Sequence, residues 1–179
     1  MIPEILDRRV EFETPWFAVE AKDVRLPEPR GRETFWSIRT YDYAAVLAVT
    51  ADRRVPLVRQ YRPAIEQLSL ELPSGLVERE ETPEAAVRRE LLEEACCEAD
   101  ALEQLACFHV DTGRMQTRQF AFFAPGARVV AEAPTGEEEL EVVFVPSAEL
   151  VELVRSGEFR MAGHVAIVAV ALVKGRLAA

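Results

Sequence analysis

Hydrophobic and polar positions alternate with different periods along this chain, and each change of period marks an element. Residues 1–40 mix proline and charge with short apolar stretches. Within them, TPWFAVEAKDVRLPEP and GRETFWSIRT read as short strands joined by a Pro-rich turn at Leu26–Gly31. Together they predict a small N-terminal sheet that could not stand alone. From Tyr43, YAAVLAVT is apolar at nearly every position and reads as a buried strand. ADRR then reads as a turn and VPLVRQY as the hairpin partner, with Pro56 implying an edge position or a bulge.

Beyond SLELPSGL the period shifts to helical. Thr82 is a good N-cap and Pro83 is tolerated at the first helical position, so a helix is predicted over Pro83–Ala95. LEQLACFHV and RQFAFFA follow as strands separated by the turn-like DTGRM, and LEVVFV is a further strand. SAELVELVRSGE reads as a short amphipathic helix with Leu150, Leu153 and Val154 on one face. The length and alanines of MAGHVAIVAVALVKG favour a helix ending at Gly175. Strands outnumber helices without regular βαβ alternation and without an internal repeat. The fold class expected is α/β in the α+β sense, with helices packed on a mixed sheet.

Composition narrows function rather than fold. A chain of 179 residues, 49% hydrophobic and 29% charged, holds one good core, or a core with a small extension. A net charge of −10 argues against nucleic-acid or membrane-surface partners and fits small ligands handled through a cation. The longest apolar run, Val165–Val173, is too short to span a bilayer, and the charged opening MIPEILDRRVEFE is unlike a signal peptide. Cys96, Cys97 and Cys107 form no CxxC pair, so a reducing, cytoplasmic setting is expected. Cys107 falls in an apolar strand and is expected in the core. The lone histidines His109 and His164 read as structural.

The predicted helix is charged in an unusual way. At about 100° per residue, Glu90, Glu93 and Glu94 share one face. They border the stripe Val87, Leu91 and Ala95, which can face a core. Like charges one turn apart repel. A solvated charged face, with Arg88 and Arg89 compensating, is one account. The other is a hard-cation site, because Mg²⁺ and Mn²⁺ prefer oxygen ligands and a rigid helix presents carboxylates at low entropic cost.

Spacing separates the two accounts. Gly75, five residues, Glu81, seven residues and then Arg89-Glu90-Leu91-Leu92-Glu93-Glu94 match the pattern GX5EX7REUXEEXGU, U being aliphatic. The chain therefore resembles the Nudix hydrolases. One position departs: Cys96 stands at the late glycine, where the backbone is expected at positive φ, and Cys97 stands at the aliphatic place after it. The resemblance implies a Nudix fold, an α/β/α sandwich carrying a small N-terminal β-sheet extension. It also implies hydrolysis of nucleoside diphosphates linked to another moiety, with Mg²⁺ as cofactor and Mn²⁺ as substitute. Glu90 and Glu94 are then metal ligands, Glu93 a further ligand, Arg89 an orienting ion-pair partner and Glu81 its support.

The flanks point to one branch. LVRQYRPAIEQLSLELPSGLVEREE is similar to the ADP-ribose and ADP-sugar pyrophosphatases, in which an RQYR segment precedes an E-[LF]-P-[AS]-G turn. That similarity implies a homodimer in which residues 1–40 contribute to the nucleotide site and residues 41–179 form the hydrolase domain. Trp36, and with it Trp16, are the adenine-stacking candidates, and Arg62 or Arg59 the phosphate-binding ones. The Ser74 carbonyl is implied as an extra metal ligand. The stretch HVDTGRMQTR, residues 109–118, lacks the proline found there in ADP-ribose members. The sugar therefore stays open, with Asp111 and Arg114 as contacts or simply as parts of a turn. The general base is expected from GEEELEVV, with Glu138 the best positional match and Glu137 and Glu139 close seconds. Two other readings stay open: a hydrolase of another nucleoside diphosphate derivative, and a non-catalytic nucleotide-sensing module. Retention of Glu81, Glu90, Glu93 and Glu94 speaks against the second.

Overall fold

A computed structural model describes residues 2–132, 134 and 140–178. The chain divides into two compact units: residues 1–42 with 109–118, and residues 43–108 with 119–179.

The first unit is an antiparallel meander of β1 (Glu4–Glu13), β2 (Phe17–Arg25) and β3 (Arg32–Thr40). The sequence pattern predicts the second and third strands; β1 carries so much charge that its alternation is hidden. Residues 109–118 attach to the far edge of this sheet. Ile38 N donates to the Arg114 carbonyl at 2.7 Å, and Gln116 N donates to the Ile38 carbonyl at 3.2 Å.

The second unit is built on β4 (Tyr43–Thr50), which pairs with β10 (Arg118–Val129) in parallel and with the short β7 (Ser74–Leu76) antiparallel. β8 (Cys97–Glu98) and β9 (Glu103–His109) also join β10. Alternate residues of β4 serve opposite layers. Ala44, Val46 and Ala48 pack with Ala86, Val87, Leu91 and Ala95 of α1 (Pro83–Ala95). Ala45 and Leu47 pack with Leu150 and Val151 of α2 (Ser147–Ser156), and with Ile167, Val168 and Ala171 of α3 (Ala162–Val173). This is why the strand is apolar throughout, and it makes the layer order α/β/α.

Two expectations change. β5 (Arg54–Arg62) is not the hairpin partner of β4; it pairs with β11 (Glu141–Pro146) and β6 (Gln67–Glu71) in a sheet of its own. A short turn restricts where the next strand starts, but side-chain burial decides which sheet it joins. Pro56 is accommodated because β6 pairs only from Val58 onward, leaving β5 locally one-sided at the proline. Cys107 is exposed rather than in the core. After the buried Leu105, it is Ala106 and Phe108 that pack inward, which turns Cys107 out.

α1 begins and ends where the sequence places it. The Thr82 side chain accepts from Ala85 N at 3.1 Å, and Pro83 opens the helix. It stops at Cys96, whose φ of 56° is left-handed. A helix C-terminus commonly needs that conformation, and a side chain tolerates it at a cost. No helix among the described residues is long and apolar enough to cross a membrane.

Candidate active site

The path from β7 into α1 sets one wall of a cavity of about 590 Å³. Ser74, Gly75 and Leu76 come from β7, Arg89, Glu90, Glu93 and Glu94 from α1, Tyr43 from β4 and Arg62 from the end of β5. The helical face carrying Glu90, Glu93 and Glu94 thus opens to the cavity, while Val87, Leu91 and Ala95 are buried beneath it. Leu140 also lines the cavity, and Glu139 precedes it directly in the chain.

Arg89 organises the carboxylates. Its Nε and Nη2 donate to the two oxygens of Glu81 at 3.2 and 3.1 Å. Its Nη1 donates to Glu90 Oε1 at 2.7 Å and to Glu93 Oε2 at 3.2 Å, and its Nη2 also reaches the Leu76 carbonyl at 3.3 Å. This web raises the pKa of the guanidinium, chiefly through the bonds to Glu81, and lowers that of Glu81. Glu90 behaves oppositely. Burial pushes its pKa up, and the neighbouring charges of Glu93 and Glu81 add to that, against the pull of Arg89. Glu94 is buried and accepts from Ser74 N at 2.8 Å, tying the helix to the strand.

Gly75 explains the first residue of the motif. A Cβ there would overlap the Glu90 carboxylate, so the absent side chain is the space that carboxylate occupies. The demand is for room, because Gly75 is not among the residues at positive φ. Tyr43 was not singled out by sequence; its hydroxyl lies 3.2 Å from Ser74 Oγ, and burial raises its pKa. Nothing in the strand pattern distinguishes it from an ordinary strand start.

These donors fit a hard divalent cation in chemistry. They are all oxygens, one guanidinium is shared among several carboxylates, and a bound cation would favour the charged form of Glu90, which burial first and the charges of Glu93 and Glu81 second disfavour. Among the described residues, no three His, Cys, Asp or Glu side chains are drawn together closely enough to hold a metal ion by themselves. The arrangement is an open one-sided cleft, as suits a cation that shares its coordination with water and phosphate.

Residues 40–164 match the sequence profile of the NUDIX domain. The chain belongs to the Nudix hydrolases. Among solved structures, one described as the crystal structure of ADP compounds hydrolase superposes with a TM-score of 0.82 at 24% identity. The match covers 98% of this chain and 96% of that one. None of the curated proteins matches the chain.

The remaining described sequence candidates of this Nudix hydrolase are not among the residues that line the cavity. Arg59 lines a neighbouring groove with Tyr61, Arg62 and Leu68, and it pairs with Glu141 at 2.9 Å. Trp16 and Trp36 belong to the first unit and are 69% and 54% exposed, so neither is a core residue. Arg114 is in the same unit, near Asp111 at 3.6 Å. Asp111 Oδ1 accepts from Gly113 N and Arg114 N, the signature of a turn. His109 is exposed at the end of β9, whereas His164 is fully buried and its Nδ1 accepts from Leu72 N at 3.1 Å. Glu137, Glu138 and Glu139 lie outside the described residues.

Proposed function

We propose that this Nudix hydrolase cleaves the diphosphate of ADP-ribose or a related nucleoside diphosphate sugar with Mg²⁺, Mn²⁺ substituting, in the cytoplasm and as a homodimer. The observation that carries the reading is one cavity lined by Glu90, Glu93, Glu94, Ser74 and Arg62 together. The ADP-compound activity in the description of the superposed hydrolase agrees with it, as does the RQYR…ELPSG flank.

Each residue has a part. Glu90, Glu94 and Glu93, with the Ser74 carbonyl, would hold the cation, which when bound polarises phosphoryl oxygens and lowers the pKa of water. Arg89, braced by Glu81, bridges Glu90 and Glu93 and orients their carboxylates. Arg62 supplies a planar guanidinium for a phosphate, with Arg59 beside it in the adjoining groove. Trp36 or Trp16 offers an exposed aromatic face for adenine, and Arg114 a cation for the sugar end. The proton of the attacking water goes to a group outside the metal set, because a cation-bound carboxylate is a poor base. Glu138 is the first choice, ahead of Glu139 and Glu137, since the chain enters the cavity wall at Leu140 immediately after them. The water oxygen bonds to one phosphorus, and the bridging oxygen leaves with the other.

The test is mass spectrometry of ADP-ribose incubated with protein and Mg²⁺. AMP and ribose 5-phosphate are expected, with no turnover in EDTA and a loss of several orders of magnitude in kcat for Glu94→Gln. Intact ADP-ribose, or release of inorganic phosphate, would overturn the reading.

A further inference from the structure

Arg62 is held by an unusual partner. Glu71, across the β5–β6 hairpin, is 3% exposed, and few carboxylates are buried that far unless paired. Arg62 Nε donates to Glu71 Oε1 at 2.9 Å and Arg62 Nη2 to Glu71 Oε2 at 2.6 Å, a two-pronged fork. Burial works against the charged carboxylate, and the bonds from Arg62 and Ser69 outweigh it, leaving its pKa lowered. Such a pair is a poor way to stabilise a fold, since well-packed apolar groups of the same volume often do as well or better. Its consequence here is geometric. The guanidinium that Glu71 grips also lines the cavity with Glu90, Glu93 and Glu94.

We infer that Glu71 is a positioning residue: it locks the plane of the Arg62 guanidinium so that this arginine meets a diphosphate already oriented. An arginine fixed before binding loses less side-chain freedom when a phosphate arrives. The carboxylate never touches substrate; it acts through Arg62. The adjoining backbone is anchored as well, by Leu72 N on His164 Nδ1 and Ser74 N on Glu94 Oε2, so Glu71 sits on a fixed base. The inference rests on reading the cleft as a diphosphate site.

The test is the affinity for α,β-methylene-ADP, which the protein cannot hydrolyse by bridge cleavage, measured by calorimetry with Mg²⁺. Four proteins are compared: wild type, Glu71→Gln, Arg62→Ala and the double variant. Glu71→Gln should weaken binding about tenfold, Arg62→Ala at least as much, and the double variant no further than Arg62→Ala alone. Arg62→Ala strands a buried carboxylate, so adding Glu71→Gln should raise its Tm while leaving its affinity unchanged. Wild-type affinity in Glu71→Gln, losses that multiply, or no binding of the analogue by wild type would each overturn the inference. If Glu71→Gln does not fold, Arg62→Lys decides. It keeps the charge without the fork and should also bind about tenfold more weakly, and wild-type affinity would sink the proposal. ADP-ribose turnover is scored separately: analogue binding with this pattern but no hydrolysis defeats the hydrolase reading and leaves the role of Glu71 standing.

Discussion

At the residue scale, Gly75 and Glu90 show how a motif position can be a demand for empty space. Gly75 pairs with Ala44 in the short β7, in backbone geometry open to any residue, yet a methyl group would occupy the place of the Glu90 carboxylate. Gly75→Ala should therefore damage catalysis more than folding. We expect kcat/KM for the nucleotide substrate to fall at least tenfold, about 1.4 kcal/mol of transition-state stabilisation, with little change in secondary structure by circular dichroism. Full activity in Gly75→Ala would show that the Glu90 carboxylate is free to work from another position. Cys96 is the complementary case. It adopts the left-handed conformation usual for glycine, and it keeps its side chain buried there.

At the element scale, α3 and the β6–β7 connection are joined by one side chain. His164, near the start of α3, is fully buried, and its Nδ1 accepts from Leu72 N. Burial lowers its pKa to about 4, with Glu71 pulling up and Arg62 pushing down. The imidazole is thus neutral in the folded chain, while in the unfolded chain it titrates near 6.5. Below about pH 6.5 the unfolded state takes up a proton that the folded state refuses, so stability falls with pH until about pH 4, where the folded imidazole also protonates. His164→Asn keeps an acceptor for Leu72 N but cannot titrate. Urea unfolding between pH 7 and 4 should show a shallower loss of stability in His164→Asn than in wild type. Equal slopes would mean that other groups carry the acid sensitivity.

At the scale of the whole molecule, the first unit exposes more apolar surface than a sheet of its size can leave in water at no cost. Ile5, Val10 and Phe12 of β1 are 45%, 50% and 55% exposed, and Trp16, Phe35 and Trp36 are exposed as well. Exposed apolar side chains on a small sheet are a common mark of association surfaces. A second copy of the chain is the expected cover, with residues 1–40 reaching the partner's nucleotide site. Sedimentation equilibrium should give a dimer, and Val10→Lys combined with Phe12→Lys should shift it to monomer and raise KM. A wild-type monomer with full activity would defeat this expectation.

The sequence alone determined whatever depends on neighbours along the chain. The limits of α1, its Thr82 cap, the burial of β4 and the shared face of Glu90, Glu93 and Glu94 follow from local periodicity and capping, whereas the left-handed end at Cys96 was expected only through the resemblance to a motif that has glycine there. Tertiary structure decided what depends on distant partners. It separated β5 from β4, turned Cys107 outward, grouped residues 109–118 with the N-terminal strands, buried Glu71 under Arg62 and fitted Glu90 against Gly75. The physical reason is the range of the interactions. Helix periodicity and caps act over one to four residues and leave a pattern in the string. Sheet partners and buried ion pairs are chosen by burial and close approach between segments that folding alone brings together.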